Sequence, residues 1–193
     1  MTTQTPTLEK NARLLLRPLD DCDIDALVAA RTGVEANRYT GWENPDTEGW
    51  ARDVVLEMKT KKPGEQGPSG GWYQYAIVDR PTGKTAGDIG VGFGVPGPHQ
   101  AEIGYRLLDE FQGRGMAGEA VGIMVDHLFG DHGLHRLVAT IAAPNRASSR
   151  LVEALGFRRE GIFRKSFLCY GEWLDDHYYA LLEEEWRNRP GRR

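Results

Sequence analysis

Apolar positions along the chain follow two periods, and the switches between them mark the elements. Residues 13–19 read as a strand in which Leu14, Leu15, Leu16 and Leu19 are apolar. Pro18 places the end of that strand at a sheet edge, because proline cannot donate to a ladder. Asp20, Asp21 and Asp23 are N-cap candidates for a helix holding Ile24, Leu27 and Val28. A second helix is expected after Asn44-Pro45-Asp46, with Trp50, Val54, Val55 and Met58 at helical spacing. Residues 61–71 are rich in glycine and proline and predict a loop within the domain. Strand texture then takes over: 72–78, a turn at Pro81-Thr82-Gly83, 85–93, a turn over 94–98, and 101–108, an antiparallel meander. A helix over 115–129, a buried strand over 134–142 and a helix over 147–155 follow, the last stopped by Gly156 in a C-cap position. Strand texture resumes at Phe157, and 176–182 is the last strand. No internal repeat appears. The pattern predicts a single α/β domain around one mixed sheet.

Composition narrows the function classes. The chain has 193 residues, 40% hydrophobic and 27% charged, the balance of one soluble globular domain. A net charge of −4 gives no general attraction to nucleic acid or to an acidic membrane. No run is long and apolar enough for a membrane helix, and the polar N-terminus lacks a signal-peptide core, so a cytoplasmic location is the expectation. Cys22 and Cys169 suggest neither a disulfide framework nor a metal site. Residues 1–10 are expected to be a disordered segment, 11–186 the domain, and 187–193 a basic, solvated tail.

Candidate chemistry concentrates in Leu107-Leu108-Asp109-Glu110-Phe111-Gln112-Gly113-Arg114-Gly115-Met116-Ala117-Gly118. Here a strand ends, a short loop turns and a helix begins at glycines. The first N–H groups of a helix lack partners and carry partial positive charge, and glycines let a phosphate oxygen approach them. A pyrophosphate cradle and a plain Gly-rich turn both fit that spacing. Gly113-x-Gly115-x-x-Gly118 satisfies the dinucleotide fingerprint literally. Its context fails, because the glycines do not directly follow the strand and no acid closes the next one. A P-loop is excluded, since no Gly-Lys-Ser/Thr follows. The third pattern, Gln/Arg-x-x-Gly-x-Gly/Ala, is met by Gln112 to Ala117.

That segment resembles the coenzyme A motif of the GNAT acetyltransferase superfamily. Glu102-Ile103-Gly104-Tyr105 before it, Asn145-x-x-Ser148 and Leu155-Gly156-Phe157 after it, and Gly171-Glu172-Trp173-Leu174-Asp175 match in order the branch that acetylates ribosomal-protein N-termini. The N-terminal Leu14-x-x-Arg17-Pro18 also fits. The resemblance covers residues 11–186. It implies a GNAT fold, a mostly antiparallel mixed sheet with flanking helices in which two parallel strands, 101–108 and 134–142, splay to admit acetyl-CoA. The pantetheine arm would lie in the gap like an added strand. Leu107 would serve the arm near the thioester and offer an N–H to the oxyanion. Gln112, Gly113, Arg114, Gly115, Met116, Ala117 and Gly118 would hold the pyrophosphate. Arg114 could add a charge-assisted bond or stay a solvated surface arginine. Asn145 would bond the arm, although an N-cap needs the same residue. No metal is implied.

Amide formation needs a neutral amine, so a base is useful. Glu102 is the leading candidate. Strand alternation also places it with Gly104 and Arg106, so a surface bridge to Arg106 competes. Asp88 is a weaker candidate. Many related enzymes carry a tyrosine acid where this chain has Val152; in the ribosomal-protein branch a serine stands instead, here Ser148, which also fits an ordinary first-turn serine. Tyr105 and Tyr170 are further hydroxyl donors. The acceptor is expected to be a protein N-terminal α-amine. Alternatives are a small amine such as a polyamine or aminoglycoside, for which Glu35, Glu43, Asp46 and Glu48 would supply charge, and a non-catalytic acyl-CoA-binding regulatory module. A homodimer is suggested by analogy alone.

Overall fold

A computed structural model describes residues 7–8, 13–65 and 71–189. Within them lie seven strands in one sheet: β1 Leu14–Pro18, β2 Trp72–Asp79, β3 Lys84–Phe93, β4 Gln100–Leu107, β5 Arg136–Ala142, β6 Arg158–Cys169 and β7 Glu172–Leu182. The helices are α1 Ile24–Thr32, α2 Val34–Asn37, α3 Thr47–Thr60, α4 Met116–Gly130, α5 Arg146–Ala154 and α6 Glu183–Arg187. The sheet order is β1-β2-β3-β4-β5-β7-β6. The meander β1–β4 is antiparallel, β5 runs parallel to β4, and β7 returns antiparallel to β5. Pro18 does stand on an edge strand. β6, the other edge, is exposed along most of its length and alternates nothing, which is why no clear strand period could be read there.

Alternation decides what each face of the sheet does. Leu14, Leu16, Ile89, Val91, Ile103 and Leu107 are buried and join one core with Met116, Ala120, Met124 and Leu128 of α4. On the opposite face α1 packs against α3 and β3. Asp20 begins the N-terminal helical region as expected, but by capping a short 3₁₀ turn: its side chain accepts from Asp21 N–H at 2.7 Å, and its own N–H donates to Asp23 Oδ2 at 2.8 Å.

The ends depart from the expected boundaries. Leu8, in the segment read as disordered, bridges Leu16, while residues 1–6 and 9–12 lie outside the described residues. At the other end Arg187 closes α6 and pairs with Glu183, so the predicted tail starts inside a helix; residues 190–193 lie outside the described residues. The loop predicted over 61–71 is described only at its two ends.

Candidate active site: a fork between two parallel strands

β4 and β5 pair only at Gln100↔Arg136, Ala101↔Leu137 and Glu102↔Val138. Beyond Glu102 each strand keeps its outer partner. β4 stays zipped to β3 through Gly87↔Leu107, and β5 stays zipped to β7 through Ala142↔Asp176. The inner edges therefore part into a fork whose crotch is Glu102 and whose mouth is Leu107. Leu108 N–H bonds Ala86 O at 2.9 Å, toward β3. Successive N–H groups of a strand point to opposite edges, so the main chain of Leu107, and of Tyr105 two residues earlier, faces the gap. The Leu107 side chain is buried in the core, as expected.

At the mouth α4 begins with Gly115 as its N-cap, at φ 75°, a left-handed conformation that favours glycine. Glu119 N is the first amide of the helix to find a carbonyl, Gly115 O at 3.2 Å. Those of Met116, Ala117 and Gly118 precede it and have no intrahelical acceptor. A Cβ placed on Gly113, Gly115 or Gly118 would meet nothing within 4 Å. The corner is open space over free amides, not a turn filled by side chains. Met116 turns its own side chain into the core.

The loop is held from the flank. Arg13 donates to Arg114 O at 2.5 Å and to Glu119 Oε1 at 2.8 Å. This staple was not foreseen, because its partners lie a hundred residues away. Gln112 Nε2 donates to Leu107 O at 3.1 Å and to Asp109 Oδ1 at 3.3 Å, so its side chain braces the loop. Arg114 is exposed, its guanidinium 5.7 Å from the Phe111 ring.

Asn145 caps α5, accepting from Ser148 N at 3.1 Å. Ser148 is half-buried beside the fork, and its carbonyl accepts from Tyr105 OH at 3.5 Å. This contact ties β4 to α5 across the α4 side of the gap. Burial pushes the Tyr105 phenol up to about 12, so it holds its proton at neutral pH. Val152 is a core residue.

The Tyr105–Ser148 contact crosses the α4–α5 side of the fork, and the opposite face of the sheet carries a different set of side chains. Register places Glu102, Gly104 and Arg106 of β4 there, with Thr140 of β5 and Tyr178 and Asp176 of β7. Glu102 is half-buried and makes no hydrogen bond or ion pair to another described residue; the competing bridge to Arg106 does not form. Asp88 is withdrawn as a base, since both its oxygens are taken by Arg31 at 2.9 and 3.0 Å. Asp176 is a carboxylate that sequence reasoning missed, and burial holds it above its ordinary value against a hydrogen bond from Ser166. The acids suggested for a polycation are spoken for: Glu35 pairs with Arg38, Glu48 with Arg52, and Asp46 caps α3 through Gly49 N. Glu43 is simply exposed.

A sheet forked between parallel strands, with a helix that has no side-chain cap at the mouth of the fork, defines an acyl-transfer fold. The chain belongs to the GNAT acetyltransferases: the family profile for the acetyltransferase (GNAT) domain matches residues 13–158. It is similar to the uncharacterized N-acetyltransferase YoaA of Bacillus subtilis, 30% identical over 92% of this chain and 97% of that one. A shorter stretch is 41% identical to the uncharacterized N-acetyltransferase YnaD of Bacillus subtilis, over 47% of this chain and 53% of that protein. Another is 31% identical to the ribosomal protein uS5-alanine N-acetyltransferase of Escherichia coli, over 49% of this chain and 47% of that one. Among solved structures, the ribosomal-protein-S5-alanine acetyltransferase of Vibrio fischeri superposes with a TM-score of 0.76 at 22% identity, over 94% of this chain and 99% of that one. A spermidine N-acetyltransferase chimera that includes the Vibrio cholerae protein reaches the same 0.76 at 19%, over 92% of this chain and 99% of that one. The protein is an N-acetyltransferase, and its family generally uses acetyl-CoA. Equal superposition on proteins with different acceptors means that the fold alone does not choose among them.

Proposed function

We propose that the protein transfers the acetyl group of acetyl-CoA directly to a primary amine, with a protein N-terminal α-amine as the acceptor. The observation that carries this reading is the open fork with unpaired amides at its mouth. The free N–H groups of residues 113–118 suit a pyrophosphate, and the gap-facing main chain of Leu107 and Tyr105 suits the arm. Because the arm enters at the mouth and runs toward Glu102, the thioester lies deeper than Leu107. Tyr105 N–H, about two strand rises deeper, is then the donor that faces the oxyanion, while Leu107 N–H serves the arm nearer the mouth.

The amine nitrogen attacks the thioester carbon, the C–N bond forms and the C–S bond breaks. Glu102, at the crotch and free of competing partners, takes the amine proton through water. The departing thiolate, a tolerable leaving group near neutral pH, is met by the Ser148 hydroxyl. An α-amine, with an ordinary pKa near 7.7, is partly neutral at physiological pH, so one carboxylate suffices. Half-sequence similarity to an enzyme that acts on the alanine terminus of a ribosomal protein supports the peptide acceptor.

A panel of peptides and small amines, read by release of free thiol, tests the reading. Thiol release with α-amine peptides is expected. Coenzyme A binding without turnover on any amine would end it. Glu102→Gln should lower the rate about 100-fold near pH 7 and progressively less as rising pH deprotonates the amine; a pH-independent loss removes Glu102 as the base.

A further inference from the structure

On the face that carries Glu102, one guanidinium nitrogen is buried without an acceptor. Arg31 and Asp88 form a buried bidentate pair, with 6% and 5% of their side chains exposed. Asp88 stands directly across from Arg106 in the β3–β4 ladder, yet it spends both oxygens on Arg31. Arg106 Nη1 is left buried with no hydrogen-bond partner among the described residues, and Arg31 Nε is in the same state. The other groups acting on Arg106 are Arg31, which repels it, and the Tyr170 phenol; burial lowers it to about 10, which leaves it charged at neutral pH. Two guanidiniums thus share one carboxylate. The Trp50 ring lies 3.9 Å from the Arg31 guanidinium and the Trp42 ring 5.4 Å from Arg31 and 5.9 Å from Arg106; these cation–π contacts offset part of the cost but supply no hydrogen-bond acceptor.

A buried guanidinium nitrogen without an acceptor is costly and calls for an explanation, a bound anion among them. The phosphates of the donor have their own cradle at the α4 mouth, on the far side of the loop. The anion wanted here has to come with the acceptor, and the planar fork of an arginine fits a carboxylate. The same face carries Glu102 and Asp176, so it is polar in two senses: acids for the amine, a guanidinium for its counter-group. Arg106 is only partly covered as a whole, and Tyr170 beside it also lines a recess of about 380 Å³ with Thr32, Gly33, Val34, Asn37 and Arg38.

We propose that Arg106, braced by the Arg31–Asp88 pair, binds a carboxylate of the acceptor, so that the preferred amines carry a carboxylate a few bonds from the reacting nitrogen. This rests on the acetyltransferase reading above and specifies its substrate class. The carboxylate has two sources, an Asp or Glu near a peptide N-terminus or the α-carboxylate of a free amino acid.

Matched acceptor pairs separate them: peptides with Asp or Glu against Asn or Gln at the second position, and amino acids against their amides. The wild-type kcat/KM is expected to favour the acid of at least one pair by about tenfold or more. That ratio should fall to about one in Arg106→Gln and be partly kept in Arg106→Lys. Calorimetric binding of N-acetylglycine against N-acetylglycinamide, with coenzyme A present, reads the same preference without turnover. Equal rates and equal binding for acid and amide overturn the proposal and leave acetyl transfer standing. A carboxylate preference in binding with no turnover on any amine supports the site and overturns the peptide acetylation reading. A raised KM for acetyl-CoA in Arg106→Gln with an unchanged acid-to-amide ratio assigns the guanidinium to the donor and also overturns it.

Discussion

The two walls of the fork are built on opposite principles. The donor corner at the start of α4 is made of main chain. Its open groups are amides, three of the seven residues from Gln112 to Gly118 are glycines, and nothing stands within 4 Å of their missing Cβ atoms. The acceptor face is made of side chains. Arg31, Asp88, Arg106, Trp42, Trp50 and Tyr170 come from five separate stretches and depend on one another's charge. A main-chain site tolerates sequence change as long as its glycines remain. A side-chain site fails when any member is lost, and it can be re-specified by single substitutions.

Breaking the acceptor face should give the largest effect. Arg31→Ala strips Asp88 of its buried bidentate partner, which Arg106 across the ladder replaces only in part, and a loss of about 3 kcal/mol is expected, read as a lower urea midpoint with acetyl-CoA affinity unchanged. Unaltered stability would mean that the pair does not brace the face. The donor corner should answer in the opposite way. Gly118→Leu lies inside α4, where leucine strains nothing and gains up to about 1 kcal/mol of helix propensity. It fills the space over the free amides, and kcat/KM for acetyl-CoA should fall on the order of 1,000-fold through loss of two or three charge-assisted bonds. Gly118 is a cleaner probe than Gly115, whose left-handed backbone would strain with any side chain. A Gly118→Leu enzyme with wild-type kinetics would move the phosphates elsewhere. The smallest effect is expected between the walls. Asn145→Ala removes the α5 cap and should cost about 1 kcal/mol of stability. If acetyl-CoA KM also rises, Asn145 holds the donor as well as its own helix.

The same contrast explains what the sequence could reveal. Local signals were legible. Leu14 and Leu16 in a strand, Asn145 before α5 and Gly113 to Gly118 between strand and helix each need only neighbours a few residues away. The fork could be inferred only through resemblance, since periodicity does not say where two parallel strands stop pairing. The Arg31–Asp88 pair joins residues 57 positions apart, and Arg13 reaches Glu119 across 106. No spacing rule connects such positions. Strand alternation did put Arg106 beside Glu102 on one face, but it took the register Asp88↔Arg106 to show which acid stands across from it and which cation that acid serves. The length of β6 escaped because a strand exposed on both sides carries no hydrophobic period.

The hairpin between β6 and β7 joins the edge of the sheet to the N-terminal helices. It turns on Tyr170 and Gly171, both with positive φ, in the mirror-image turn that suits twisted strands. The phenol at its tip donates to Asn37 O at 2.9 Å, fastening the far end of the chain to α2. A single neutral bond of this kind is worth about 1 kcal/mol, close to thermal energy. The Cys169 thiol reaches Arg38 O at 3.6 Å beside it, so the edge hairpin and the α2 segment are stitched together at two neighbouring points.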